Sequence, residues 1–372
     1  MILRYFILML ITLQLLLCSC SNRSNYGVVT SEEDVLLRKK IGTMMIVGVG
    51  FNGCNYNLNE SDKRIISDLN VGGVILLEKW PRLKRGDAFR GNMAKYIANI
   101  KDFASRKIFV SVDQEGGSIM RLRTSDGFSS LPSAYKLGQI NNRDTTIFYV
   151  DVLTSDLKNM GFNMNYAPCL DVNVNPDSPI VGAIKRSFSD DPHKVADMAE
   201  LFFEGQRANG IVSVYKHFPG HGSSEVDSHK GFTDVTNTWQ QKEITPYQIL
   251  ISRSKCDVVM CSHVFNANLD KAYPSSLSKS IVTGLLREQI GFDGVVITDD
   301  MCMGAIRKNW KLEEVIPLSI NAGVDMFIFG RGGFRKYKKA VDIVFDLVKS
   351  GEIPESRIEE SYQRIVRLQK LI

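Results

Sequence analysis

Residues 189–217, SDDPHKVADMAELFFEGQRANGIVSVYKH, hold one complete helix-to-strand unit. Ser189, Asp190 and Asp191 offer capping oxygens, and Pro192 suits the first turn of a helix. Val195, Met198, Ala199, Phe202 and Phe203 then recur at three- and four-residue spacing, which puts them on one apolar face. Gly210 is a stop signal, and the β-branched run from Ile211 to His217 begins at once.

The same unit recurs along the chain. Residues 281–290 read as a helix, Gly291-Phe292-Asp293-Gly294 as a turn and Val295-Val296-Ile297 as the next strand. Strands are expected at 44–49, 71–77, 108–113, 163–171, 211–217, 258–264, 294–299 and 326–330, and a closing helix from about 355 to 370. Most of these runs are continuously hydrophobic, as in parallel strands buried on both faces. Eight strands alternating with helices over roughly 330 residues point to an α/β fold, a single (β/α)8 TIM-type barrel. A doubly wound open sheet is the competing architecture. It lacks support from a glycine-rich phosphate fingerprint after an early strand: Gly116-Gly117 follows Asp113-Gln114-Glu115, whose charge repels phosphate.

Composition excludes other classes. With 372 residues, 44% hydrophobic and 23% charged, the chain has the make-up of an ordinary globular protein with length enough for a sizeable core. The net charge of +5 falls to +4 without the first 19 residues, which hold Arg4 and no acid. So small and scattered an excess marks no nucleic-acid groove.

Those first residues stand apart. Arg4 precedes an apolar stretch from Tyr5 to Leu17, shorter than a membrane span but suited to a signal-peptide core. Leu17-Cys18-Ser19-Cys20 resembles a bacterial lipoprotein cleavage box. The expected layout is a signal peptide at 1–19, a linker at 20–34 behind a lipidated Cys20, and the barrel at 35–372. A plain signal peptide or N-terminal anchor is the alternative. Either way an exported protein is expected, held by its lipid on a membrane at the periplasm or cell surface.

The other cysteines, Cys54, Cys169, Cys256, Cys261 and Cys302, are odd in number and without close metal-site pairs. They read as buried small hydrophobes.

The polar residues collect at the expected carboxyl ends of the strands, where barrels of this type keep their chemistry. Asp113-Gln114-Glu115 follows strand three with Arg121 close behind. Asp171 ends strand four, and Arg186 lies in the loop beyond. Strand five delivers Lys216 and His217, then a loop carrying His221, Asp227 and His229. Ser262-His263 ends strand six and Asp299-Asp300 ends strand seven. Carboxylates and cations together suit a polyhydroxylated substrate. A carboxylate aimed into such a pocket can attack an anomeric carbon, and a histidine oriented by a nearby carboxylate can exchange the proton. Three histidines within thirteen residues, 217 to 229, also permit a zinc site completed by Asp113 or Asp299, although their spacing is not that of a rigid two-ligand helix. His193 reads as structural, and His221 is open between a structural and a functional role.

Asp113-Gln-Glu-Gly-Gly-Ser-Ile-Met-Arg121, Lys216-His-Phe-Pro-Gly-His-Gly222, Asp227-Ser-His229 and Ile297-Thr-Asp-Asp-Met301 resemble glycoside hydrolase family 3, in particular its NagZ-type β-N-acetylglucosaminidase branch. Tyr166-Ala-Pro-Cys-Leu-Asp-Val172, Arg186-Ser-Phe188 and Gly291-Phe-Asp-Gly294 support the match, which runs in order from about Val35 to the C-terminus. The segment from Ile180 to Lys185 is slightly longer than the usual family spacing.

The resemblance implies a retaining β-N-acetylhexosaminidase acting by double displacement on N-acetylglucosamine-containing glycans, peptidoglycan fragments among them. It casts Asp299 as nucleophile and His229 with Asp227 as the acid/base dyad. Asp113, Arg121, Arg186, Lys216 and His217 become the groups that hold the sugar, and neither metal nor organic cofactor is needed. A β-glucosidase, a β-xylosidase or a phosphorylase of the same family, and a non-catalytic glycan-binding lipoprotein, are the alternatives.

Overall fold

The computed structural model describes residues 31–50, 55–77 and 87–372. The expected signal peptide, the lipidated Cys20 and Cys54 lie outside these residues. The described residues before Leu37 lead into the helix Glu32–Thr43.

Within 37–372, eight parallel strands close into a barrel: β1 Met45–Gly48, β2 Gly73–Ile75, β3 Phe109–Val112, β4 Met164–Asn165, β5 Val212–Phe218, β6 Val258–Cys261, β7 Val295–Asp300 and β8 Met326–Phe329. Strand order follows chain order, and β8 pairs with β1 to close the ring, Phe327 opposite Met45. Each expected strand overlaps one strand of the barrel. The continuous hydrophobic runs arise because barrel strands face side chains inside and helices outside; β3 and β5 are buried along their whole length.

The 189–217 unit folds as its residues dictate. Asp191 accepts the His193 N–H at 2.9 Å and Pro192 opens the helix Pro192–Ala208. Val195, Met198, Ala199, Phe202 and Phe203 are all buried against the barrel, each large side chain stabilising the fold by roughly 1.5–3 kcal/mol. Gly210, at φ +70°, reverses the chain into β5. The residues at 281–290 are helical too, but with π-type turns over Ser280–Gln289, so that Ile290 N–H reaches the Leu285 carbonyl at 3.0 Å.

Several expected strands are too long, 71–77 forming only Gly73–Ile75, and two of them show where the ladder is lost. The run 163–171 pairs as a strand only at Met164–Asn165, because Pro168 has no N–H for the ladder; a single bridge between Cys169 and Lys216 follows. The run 258–264 leaves the barrel after Cys261. Val264–Phe265 joins Thr233–Asp234 in a separate two-stranded sheet on the loop side.

The two ends of the barrel differ in their acids. At the amino ends, buried Asp325 is saturated by Arg287 (2.7 Å), Ser361 (2.7 Å), Arg357 and Arg364 (both 3.4 Å), a closed network that holds β8 to the outer helices. At the carboxyl ends Asp113, Asp299 and Asp300 line a cavity.

Candidate active site

β3 ends at Val112, and the chain turns through Asp113 into a short antiparallel pair, Gln114–Gly116 with Ile119–Met120. Gly116 and Gly117 have φ of +103° and +59° there. Gly117 packs so closely on Ser133 that a Cβ would lie 2.6 Å from its side chain, which is why this turn needs glycine. The turn brings Asp113 between Lys216 Nζ (2.9 Å) and Arg121 (3.1 Å). Glu115 lies deeper. Arg186 grips both its oxygens at 2.9 and 2.7 Å, and Lys216 adds a contact at 2.6 Å. Burial pushes both carboxyls up, but the cations outweigh it and hold Asp113 well below the usual carboxylate range and Glu115 at about 2. Burial disfavours charged Lys216, yet these two carboxylates raise it.

Asp171, fully buried, is the hub of the histidines. It accepts His217 N–H at 3.2 Å, His221 N–H at 2.8 Å, the Cys169 thiol at 3.1 Å and a contact of 2.7 Å with His217 Nδ1. Burial opposes its charge and His217 restores it, leaving the carboxyl well below its ordinary range. The bond orients the ring so that Nε2 faces Arg186 at 3.4 Å.

Asp299 stands on β7, its Oδ1 accepting the Asp300 N–H at 2.7 Å. Burial raises its pKa, and the nearby His217, His263 and His229 more than offset this, so it is held as a carboxylate. Asp300 also borders the cavity, with its Oδ1 receiving the Cys302 and Gly330 N–H groups at 2.9 Å each. His263 links Ser276 (2.7 Å) to the Asp300 carbonyl (3.2 Å), and burial lowers its pKa.

β5 runs into the loop 219–232. Gly222 passes so close to the barrel that a Cβ would sit 1.8 Å from the Val172 carbonyl, so glycine here serves close packing. Glu243 receives the Gly222 N–H at 2.9 Å from beneath. His221 is buried between Ser224 and Ser228, which settles it as structural, and burial lowers its pKa to about 3. His193, the other histidine read as structural, is exposed on its helix. Further along, Asp227 accepts both the backbone N–H and the Nδ1 of His229 at 2.9 Å. Partial burial works against the Asp227 charge, but these bonds lower its pKa. The tip of the loop is clasped from β7's side: Gly304 N–H donates to His229 O at 3.1 Å and Ala305 N–H to Ser228 O at 3.2 Å.

These groups meet around one cavity of about 200 Å³. Asp113, Arg121, Arg186, Lys216, His217, His229 and Asp299, each singled out in the sequence, line it. Asp227 stands behind His229. Glu115 and Asp171 had been noted at strand ends without a role, and they prove to hold Arg186 and His217 in place. Tyr166, Met303 and Arg331 also line the cavity and were missed. Arg331 follows β8 in Gly330-Arg331-Gly332-Gly333, a strand-end signal of the same kind as the others.

Cys169 and Cys261 are buried and Cys256 and Cys302 half-buried, so the expectation of burial holds fully for two of the four described thiols. Cys169 is more than a small hydrophobe, since its thiol donates to Asp171. Cys169, Asp171 and His217 bring three possible ligand atoms within 4.8 Å, but here they satisfy one another by hydrogen bonds.

A half-buried strand-end carboxylate, a His–Asp pair on a loop and a charged, sugar-sized cavity at the carboxyl end of a (β/α)8 barrel define a glycoside hydrolase. The chain belongs to glycosyl hydrolase family 3: the model of the family's N-terminal domain matches residues 36–368. It is 31% identical over 284 residues to a "Beta-hexosaminidase" of Nitrosomonas eutropha, covering 73% of this chain and 77% of that protein. It is 28% identical over 326 residues to "Beta-hexosaminidase A" of Pseudoalteromonas piscicida; there the chain is covered to 82% but spans only about half, 54%, of the relative. Among solved structures, a family 3 β-N-acetylglucosaminidase from Paenibacillus superimposes with a TM-score of 0.81 at 31% identity, over 90% of this chain and 62% of that one.

Proposed function

We propose that the protein is a retaining β-N-acetylhexosaminidase that removes terminal β-linked N-acetylglucosamine, with glycan fragments of peptidoglycan as its substrate. The observation that carries the reading is the facing of Asp299 and the Asp227–His229 pair across one cavity whose other wall is the Asp113–Arg121–Lys216–His217 set. The printed activities of the relatives point the same way.

In the proposed mechanism an Asp299 oxygen forms a bond to the anomeric carbon as the glycosidic C–O bond breaks. His229 gives its proton to the departing oxygen, with Asp227 stabilising and orienting the imidazole. Water then attacks the same carbon, His229 takes its proton, and Asp299 leaves as carboxylate. Arg121, Arg186, Lys216, His217 and Asp113 hold the sugar hydroxyls and the acetamido group. Export behind the leader, with lipidation at Cys20, would place this chemistry at the periplasm or cell surface.

Trapping with a fluorinated N-acetylglucosaminide and peptide mapping tests the assignment. Label on Asp299 is expected. Label on another residue, or unchanged turnover by His229→Ala, would sink it. Globomycin-sensitive processing and labelling of Cys20 with an alkyne fatty acid test the anchor; an unlabelled, freely secreted chain would refute it.

A further inference from the structure

Beside the sugar cavity lies a second one, of about 460 Å³, which shares His229, Asp300, Met303 and Arg331 with the first. The shared wall contains the proposed proton donor, so the second cavity lies where the departing group leaves. Its remaining lining is Cys302, Arg307, Gly332 and Lys336.

The charge of this space is one-sided. Among the described residues no carboxylate pairs with Arg307, Arg331 or Lys336; Lys336 reaches the Cys302 sulfur at 3.1 Å and the face of Phe329 at 6.0 Å. The acid present, Asp300, has one oxygen committed to the Cys302 and Gly330 N–H groups. Gly332 is moreover the cap of the 17-residue helix Gly333–Lys349, which has no side-chain cap and no acid in its first turn. The positive end of its dipole adds to the charge of the same space. Lys336 sits in that first turn, where a cation opposes the helix dipole, and this is a cost to the helix itself. Three cations gathered without a carboxylate partner around a helix start that lacks a side-chain cap are the complement of an anion.

We infer that this cavity is a leaving-group subsite for an anionic substituent, a carboxylate or phosphate on the aglycone, read by Arg307, Arg331 and Lys336. The inference rests on the proposed glycosidase reading and adds a charge requirement on the aglycone side. Arg331, which lines both cavities, joins the two recognition tasks.

The test uses the full chain and three disaccharides with one linkage from N-acetylglucosamine to glucose, glucuronate or glucose 6-phosphate, together with a neutral nitrophenyl N-acetylglucosaminide. The readout is the ratio of kcat/KM for each anionic disaccharide to that for the neutral one. A charge-assisted contact at a part-open site gives a ratio of about tenfold or more. The ratio is expected to fall towards one in Arg307→Gln/Lys336→Gln, and also on raising salt from about 0.1 to about 1 M, where the screening length drops from about 10 to about 3 Å. Whichever anion has the larger ratio identifies the substituent. A wild-type ratio near one for both anions, or a ratio unchanged in the double variant, overturns the inference while turnover of the nitrophenyl glycoside keeps the enzyme reading. Loss of that turnover in the wild type overturns both.

Discussion

Arg186 meets Glu115 through two parallel hydrogen bonds, 2.9 and 2.7 Å, with both side chains at least nine-tenths buried. Glu115 does not touch the cavity; it fixes the arginine that does. Glu115→Gln removes the charge facing Arg186 and Lys216, and an unpaired buried charge costs about 3–5 kcal/mol. The expected result is a matching fall in the denaturant midpoint, and an unchanged midpoint would refute the role. The pH sign follows from the depressed pKa. This contribution is whole above pH 4.5, the ordinary value, and is lost as pH falls through about 2.

His229→Ala is expected to slow hydrolysis of a disaccharide by about 10²–10⁴-fold, the usual contribution of a positioned acid or base. A nitrophenyl leaving group needs little protonation, so its glycosylation step should suffer far less. Equal losses on both substrates would remove His229 from proton transfer. Asp227→Asn, which keeps the shape but not the charge, should fall between wild type and His229→Ala.

Asp171 takes four donors and can give none. In Asp171→Asn an amide NH2 faces the N–H groups of His217 or the Cys169 thiol, and the imidazole loses its fixed tautomer. Removing an orienting partner of this kind costs about 10–100-fold in activity. Crystallography of the variant should show a rotated His217 ring, and wild-type kinetics would argue against an orienting role.

Gly304 lies against the acid/base loop so closely that a Cβ would come 2.6 Å from the His229 carbonyl. Gly304→Ala must push the loop off β7's side, and a displacement of about 1 Å at a reacting group is worth about 100-fold. A fall in kcat with little change in melting temperature is expected, since the core is untouched. Unchanged kcat would mean that the clasp does not set the position of His229.

Glu243 is buried beneath the same loop, and burial raises its pKa from 4.5 to about 7 despite the Gly222 and Gln240 N–H groups. The folded state therefore holds a proton there that the unfolded chain has already lost. Its effect on stability declines as pH rises from about 4.5 and is fully unfavourable above about 7, by a figure on the order of 3 kcal/mol. Denaturant midpoints measured from pH 5 to pH 8 should drop in the wild type and drop less in Glu243→Gln. Parallel slopes would refute this.

The barrel was legible because its strands are buried on both faces, which gives uninterrupted apolar runs, and because units such as 189–217 carry their own start and stop signals. The strand ends were less legible. Nothing in 163–171 reveals how early Pro168 interrupts pairing, and nothing in 258–264 reveals that Val264 finds another partner. In the site, residues that touch the cavity stood out by charge at a strand end. The supporting residues Glu115 and Asp171 carried the same charge at the same places, so only geometry separates a group that faces the cavity from one that stands behind. Arg331 was passed over because β8 ends in glycines, which read as a turn.

The His229 side chain is 64% exposed, whereas that of Lys216 across the cavity is 2% exposed. Under the proposed mechanism His229 recovers the proton spent on each departing sugar from the water that attacks next, and its exposure lets that water arrive straight from solvent. The same solvent that carries off the leaving sugar thus brings the second reactant to the acid, while the lysine that holds the bound sugar stays sealed from it.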